Sequence, residues 1–163
     1  MLSTLFLLAH CFALQAQTDP TASNTARHNE FNIYYQALVH IVDYDSHHYK
    51  LSDTIFVEGN FYISTDSLLA SNGHYKFMVL DQPALKKQLI NGGGITLYRL
   101  FPLSYSNDTF SVSCVPFSVS YRKKYRWLKK IDYFNYENGG TFKVIFKLEN
   151  KEFKFIKVES YWL

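Results

Sequence analysis

The sequence predicts an α+β fold: an N-terminal amphipathic helix and a second short helix packed on a mostly antiparallel β-sheet that ends in a C-terminal meander. Three observations predict it. Thirteen Tyr and 14 Phe against 2 Met favour pleated, half-buried surfaces over a helical bundle. Apolar residues recur at helical spacing only in two segments, near residues 28–43 and 82–91. From residue 95 onward apolar and polar residues alternate, the period of a strand.

Composition bounds the rest. A chain of 163 residues that is 47% hydrophobic, 19% charged and formally +3 can build one core and is too apolar to stay unfolded. Seven Gly and 4 Pro exclude collagen-like and linker-like polymers.

The N-terminus predicts export. Leu5 to Ala13 is apolar except for His10, and Gln15, Ala16 and Gln17 follow. The run is too short to span a bilayer as a helix but has the length of a signal-peptide core, which puts a signal peptide over 1–16 and the protein in a secreted or periplasmic location. Leu8-Ala9-His10-Cys11 also approaches a lipoprotein signal, against which His10 stands where a small residue belongs. Removal of 1–16 leaves Cys114 as the sole cysteine, so no internal disulfide is expected. Residues 17–27 are polar and aperiodic, a flexible leader, and 28–163 form the single folded domain. No second long apolar run exists, so no transmembrane span is expected after cleavage.

Within that domain, Phe31, Tyr34, Tyr35, Leu38 and Val42 recur three and four apart and predict a helix over 28–43. Polar Asp45, Ser46, His47 and His48 predict a loop. Short strands follow at 54–57, 61–63 and 75–80. Asp81-Gln82-Pro83 is a helix start, with a side-chain cap and a Pro where its missing N–H does no harm, and Gly92-Gly93-Gly94 ends that helix. One strand is expected over 95–105, with a turn at 106–109 pairing Tyr105 with Phe110, Leu103 with Val112 and Phe101 with Cys114. The apolar phase then changes from even (Phe110, Val112, Cys114) to odd (Phe117, Val119, Tyr121), which predicts a bulge near Val115-Pro116. Residues 142–148 and 153–158, joined at Asn150-Lys151, complete the meander, with a mixed outer face that suggests partial cover on both sides.

The most concentrated chemical signal is Arg122, Lys123, Lys124, Tyr125, Arg126, Trp127, Lys129 and Lys130. It holds six of the 17 basic residues, and the other 11 against 14 acids would leave the chain at −3. The positive charge is therefore local. Cations interleaved with aromatic rings suit an anionic glycan, an envelope lipid or an acidic protein; an exported protein seldom meets nucleic acid, and no nucleic-acid motif surrounds the segment. The plainer reading is a strand end whose lysines blunt an exposed edge. Arg99 interrupts an apolar strand face and must either pair with Asp81, Glu58 or Glu159 or line a pocket as an anchor for an anionic ligand.

His40, Asp43, Asp45, His47 and His48 cluster in sequence without the fixed spacing a metal site needs, so they read as a solvated helix end and no metal is assigned. Cys114 lies on an apolar face with no activating base in view. No nucleophile elbow, zinc motif, Walker loop or calcium loop is present, so no catalytic residue and no cofactor is assigned. The sequence thus predicts a non-catalytic binding or envelope-associated protein. Its alternatives are a small enzyme with a pocket between helix and sheet, using Arg99, His40 or His74, and a structural or oligomeric envelope component.

Overall fold

The computed structural model describes residues 32–59, 75–126 and 129–162, with the backbone alone for 124–126 and 129–132. The expected signal peptide, leader and 61–63 strand, together with Phe31, His74 and Trp127, lie outside the described residues. Among the described residues are two helices and eight strands, the strands forming a mixed, curled sheet that makes a half-barrel.

Helix α1 spans Ile33–Ser46. Asn32 caps its start, its side-chain oxygen accepting from the N–H groups of Tyr34 (3.0 Å) and Tyr35 (3.3 Å). The helix runs three residues beyond the expected end because polar side chains satisfy its last carbonyls. Ser46 Oγ donates to Asp43 O at 2.7 Å, while His47 and His48 donate from Nδ1 to Asp43 O (2.6 Å) and Tyr44 O (2.9 Å). Asp45, expected in a loop, becomes the last inward residue of a stripe that includes Ala37, Leu38, Ile41 and Val42.

Strand β1 (Thr54–Glu58) pairs in parallel with β2 (Lys76–Leu80) and, at Phe56 and Val57, with β3 (Ile95–Leu100). Between β2 and β3 lies α2 (Gln82–Gly92), capped by Asp81, which accepts from the Ala84 N–H at 2.8 Å, and ended by Gly93 at φ 80°. A helical crossover of this kind is what parallel strands require. The sheet is consequently mixed, with β1 in parallel between β2 and β3.

The remaining strands are β4 (Ser104–Ser106), β5 (Thr109–Arg126), β6 (Lys129–Asn138), β7 (Thr141–Glu149) and β8 (Glu152–Tyr161). All of their pairings are antiparallel. The order is β2-β1-β3-β5-β7-β8, with β4 and β6 also bonded to β5. The expected 95–105 strand is broken at Phe101-Pro102-Leu103, so that Leu100 rather than Phe101 pairs with Cys114, while Tyr105 does pair with Phe110. The freed N–H groups find other partners: Phe101 N donates to Ser113 O (2.9 Å) and Leu103 N to the Tyr34 hydroxyl (3.0 Å). The β4–β5 and β7–β8 turns each have two residues at positive φ, Asn107 and Asp108 in one, Asn150 and Lys151 in the other, which matches the twist of the flanking strands.

No bulge interrupts β5 against β3, whose ladder is continuous from Leu100↔Cys114 to Ile95↔Val119. The change of apolar phase has another cause: opposite faces of one strand enter different cores. Val112 and Cys114 belong with α1 residues Leu38, Ile41 and Val42, whereas Val119, with Phe117 and Tyr121 packed beside it, belongs with α2 residues Leu85 and Leu89. β3 divides in the same way, Tyr98 and Leu100 joining the first cluster and Leu97 the second. The bulge lies instead in β8. Ile145 pairs with Lys157 but Phe146 with Phe155, leaving Ile156 extra and exposed. It restores phase, so Phe153, Phe155, Val158 and Ser160 all reach the α1 side, where Phe155 stacks on His40 and Ser160 Oγ lies 3.1 Å from Tyr44 Oη.

Candidate functional site

The basic segment occupies the outer end of a two-stranded ribbon. β3 last pairs with β5 at Val119, but β5 and β6 continue as partners through Arg126↔Lys129. Their backbone register sets Arg122 opposite Tyr133, Lys123 opposite Asp132, Lys124 opposite Ile131 and Tyr125 opposite Lys130. The antiparallel fold-back thus gathers six basic residues, spread over nine positions of sequence, at one end of the β5–β6 pair. Arg122 and Lys123 are exposed, as is Tyr133 opposite Arg122. At the ribbon's root the Tyr121 ring has Lys123 Nζ 5.9 Å and Lys86 Nζ 5.4 Å from its centre, a cation–π arrangement from two elements. Lys143, Lys147 and Lys154 lie elsewhere: β7 runs beside Phe110–Cys114 of β5, and Lys147 and Lys154 form ion pairs with Glu149 (3.1 Å) and Glu152 (2.7 Å).

Arg99 is paired. Its guanidinium makes a two-point contact with the Glu58 carboxylate, Nε to Oε2 and Nη2 to Oε1 (the latter 2.8 Å), while its carbon sits 4.7 Å from the Phe117 ring centre and 5.4 Å from that of Tyr136. The Glu58 hydrogen bond raises the Arg99 pKa further. Arg99 and Glu58 thus form a half-exposed ion pair on the α2 face.

A buried polar pair lies under the C-terminal end of α1. The Tyr98 hydroxyl donates to Asp45 Oδ2 at 2.8 Å, and both side chains are buried. Asp45 Oδ1 has no hydrogen-bond partner among the described residues. Burial raises the Asp45 pKa above the usual carboxylate range, opposed by the Tyr98 hydrogen bond and by His48. Burial, then the Asp45 charge, raises the Tyr98 phenol, and burial raises the Cys114 thiol far above its ordinary value. Cys114 is a buried thiol held protonated, the inert form.

These directions set a pH dependence. The folded chain holds the Asp45 proton to higher pH than the unfolded chain does, so stability falls as pH rises through that interval. Tyr98→Phe is expected to cost about 1.5–3 kcal/mol at pH 7.5, and less at pH 4.5 where Asp45 carries more of its proton. Asp45→Asn is expected to flatten the slope. Urea midpoints at the two pH values check both, and an unchanged slope in Asp45→Asn would contradict the assignment.

The histidines near this helix end have structural partners: His47 and His48 cap α1, and His40 lies stacked on Phe155 with ring centres 3.8 Å apart. Burial lowers the His40 pKa, against the pull of Asp43. Among the described residues no group of three or more His, Cys, Asp or Glu is placed to hold a metal ion. No described helix is long and apolar enough to cross a membrane.

A cleft of about 360 Å³ opens between the N-terminal ends of β1 and β3. The β1–β3 ladder holds only Phe56↔Leu97 and Val57↔Tyr98, although β1 begins at Thr54 and β3 at Ile95. The cleft fills the gap left there. Lys50, Ser52, Thr54 and Thr96 give it polar groups, and Leu51, Ile55, Ile95 and Tyr98 apolar walls.

No family model, curated protein or solved structure matches the chain.

The cleft and the Tyr98–Asp45 pair escape sequence reasoning because each joins segments some 40 to 50 residues apart. The parallel register of β1 with β3 forms the cleft, and the packing of α1 on β3 forms the pair. One signal does exist: Asp45 stands four residues after Ile41 and continues the inward stripe.

Proposed function

We propose that this is an exported, non-catalytic binding protein that uses the β5–β6 ribbon to hold an anionic partner, whether glycan, envelope lipid or acidic protein. In this reading residues 1–16 direct export to the periplasm or medium, 17–27 form a leader, and α1 is the amphipathic N-terminal helix of the mature domain. Acylation at Cys11 is the alternative to free release. One observation carries the binding proposal: the register that ends at Arg126↔Lys129 collects Arg122, Lys123, Lys124, Arg126, Lys129 and Lys130 on one projecting hairpin. Clustered cations focus potential in a way the same charges scattered over a surface do not. Tyr125 and Trp127 lie within the same segment of sequence, and aromatic rings are of the type that stacks on sugars or headgroups.

The test replaces the six basic residues by Gln and measures binding to immobilised heparin and to phosphatidylglycerol-containing vesicles, with phosphatidylcholine vesicles as the neutral control. Near an anionic surface each Lys or Arg contributes about 1 kcal/mol, so the variant should bind at least about a hundredfold more weakly. Binding of the parent should also weaken as salt shortens the Debye length. Heparin retention without vesicle binding would indicate a glycan, and the converse a lipid. Undiminished binding by the variant would refute the proposal.

A further inference from the structure

We propose that the cleft between β1 and β3 binds a ligand with a carboxylate head and a short apolar body, the chemistry shared by a free carboxylic acid and the C-terminal residues of a peptide. This site is independent of the basic ribbon. Its volume of about 360 Å³ falls within the range of small-molecule pockets, about 300–1,000 Å³, and near its lower end. That size suits a ligand of a few heavy-atom groups.

The lining selects the chemistry. Lys50 is exposed at the cleft and forms no ion pair with a described carboxylate, so it is one available positive charge. A single ammonium matches a monoanion. The hydroxyls of Ser52, Thr54 and Thr96 add hydrogen-bonding groups, while Leu51, Ile55 and Ile95 offer walls for an aliphatic body. Ile55 and Tyr98 belong to the α1 core and Phe56 and Ile95 pack with the α2 core, so the cleft runs between two strands and does not lie on one face.

Two further observations bear on the cleft. The strand ends facing each other across the gap, Thr54-Ile55 and Ile95-Thr96, make no ladder pair with one another, so the ladder does not close the cleft. Gly94 also lines the cleft, yet neither backbone nor packing demands glycine there. Its φ is outside the left-handed region, and a Cβ would meet only Val119 O at 3.5 Å, an ordinary contact. A larger side chain at this lining position therefore tests the cleft without straining the backbone.

The test titrates the protein with hexanoate and with the tripeptide Ala-Val-Leu, each beside its neutral amide, and follows backbone amide signals by NMR. The free acids should give saturable shifts centred on residues 54–56 and 94–96, and the amides should not. Lys50→Met should weaken binding about tenfold or more, since a hydrogen bond to a charged group contributes about 1.5–3 kcal/mol. Gly94→Leu, which the backbone accommodates, should weaken binding of both acids. Hexanoate binding alone identifies a free acid as the ligand class, and tripeptide binding alone a peptide end. The six-Gln ribbon variant should bind the acids as the parent does, which separates failure of this site from failure of the ribbon. Absence of saturable shifts, equal binding of acid and amide, or an unaffected Lys50→Met variant would each overturn the proposal.

Discussion

Phe146→Ala should lower the free energy of unfolding by about 3–5 kcal/mol. Phe146 is fully buried in β7, opposite Phe110 of β5 and Phe155 of β8. Its ring meets Phe153 and Phe155 edge-on with centres 6.4 Å and 6.3 Å away, and His40 of α1 at 6.2 Å. Truncation removes transfer free energy and leaves a cavity bounded by three strands and a helix, none of which can close it alone. Lost aromatic pairs add about 0.5–1.5 kcal/mol each beyond burial. Leu148→Ala, two residues along the same strand but 47% exposed, should stay within about 1 kcal/mol. Urea unfolding at constant m-value measures both, and a loss below about 1 kcal/mol at Phe146 would contradict the placement of this core.

Gly140→Ala is expected to destabilise by about 2–6 kcal/mol, through backbone strain of about 1–3 and overpacking of a similar size. Gly140 joins β6 to β7 at φ 123°, where an L side chain is strained. Its Cβ would stand 2.8 Å from Tyr161 O and 3.0 Å from Trp162 Cε3. The absence of that atom lets β8 end beside β7 and lets Trp162 reach Phe142, ring centres 5.6 Å apart, and Tyr49 at 5.8 Å. Gly92→Ala is the control of opposite sign, because Gly92 ends α2 with only Gln88 Nε2 at 3.6 Å from the added atom. It should be neutral or stabilising by up to about 1 kcal/mol. Equal destabilisation at the two glycines would contradict the account.

Local chemistry was legible in the sequence. Asp81 and Gly93 bound α2 where a cap and a helix stop were expected, and Asn107-Asp108 and Asn150-Lys151 turn where the strands need positive φ. What required distant partners was not. Residues 75–100 read strand, helix, strand, the pattern of a parallel crossover, yet which strand lies between β2 and β3 depends on β1 from another segment. The odd and even apolar runs of β5 look like one core face thrown out of phase, because sequence does not say that α1 covers one side and α2 the other. Pro102 interrupts the expected long strand by removing a donor, and the extra residue at Ile156 keeps the β8 aromatics on the α1 side. Of the candidate sites, the basic run was visible as composition. Its concentration on a projecting hairpin was visible only through the β5–β6 register, and the cleft not at all.

The most direct test of the central claim, that local clustering and not net charge confers anion binding, compares two variants of equal charge. One carries Gln at the six ribbon positions. The other carries Gln at six exposed lysines elsewhere, Lys76, Lys87, Lys147, Lys151, Lys154 and Lys157. Both have a formal charge of −3, six below the parent's +3. Their affinities for heparin and for anionic vesicles should differ by about a hundredfold or more, the second variant staying close to the parent. Equal loss in both would show that net charge alone accounts for binding and would contradict the ribbon as the site.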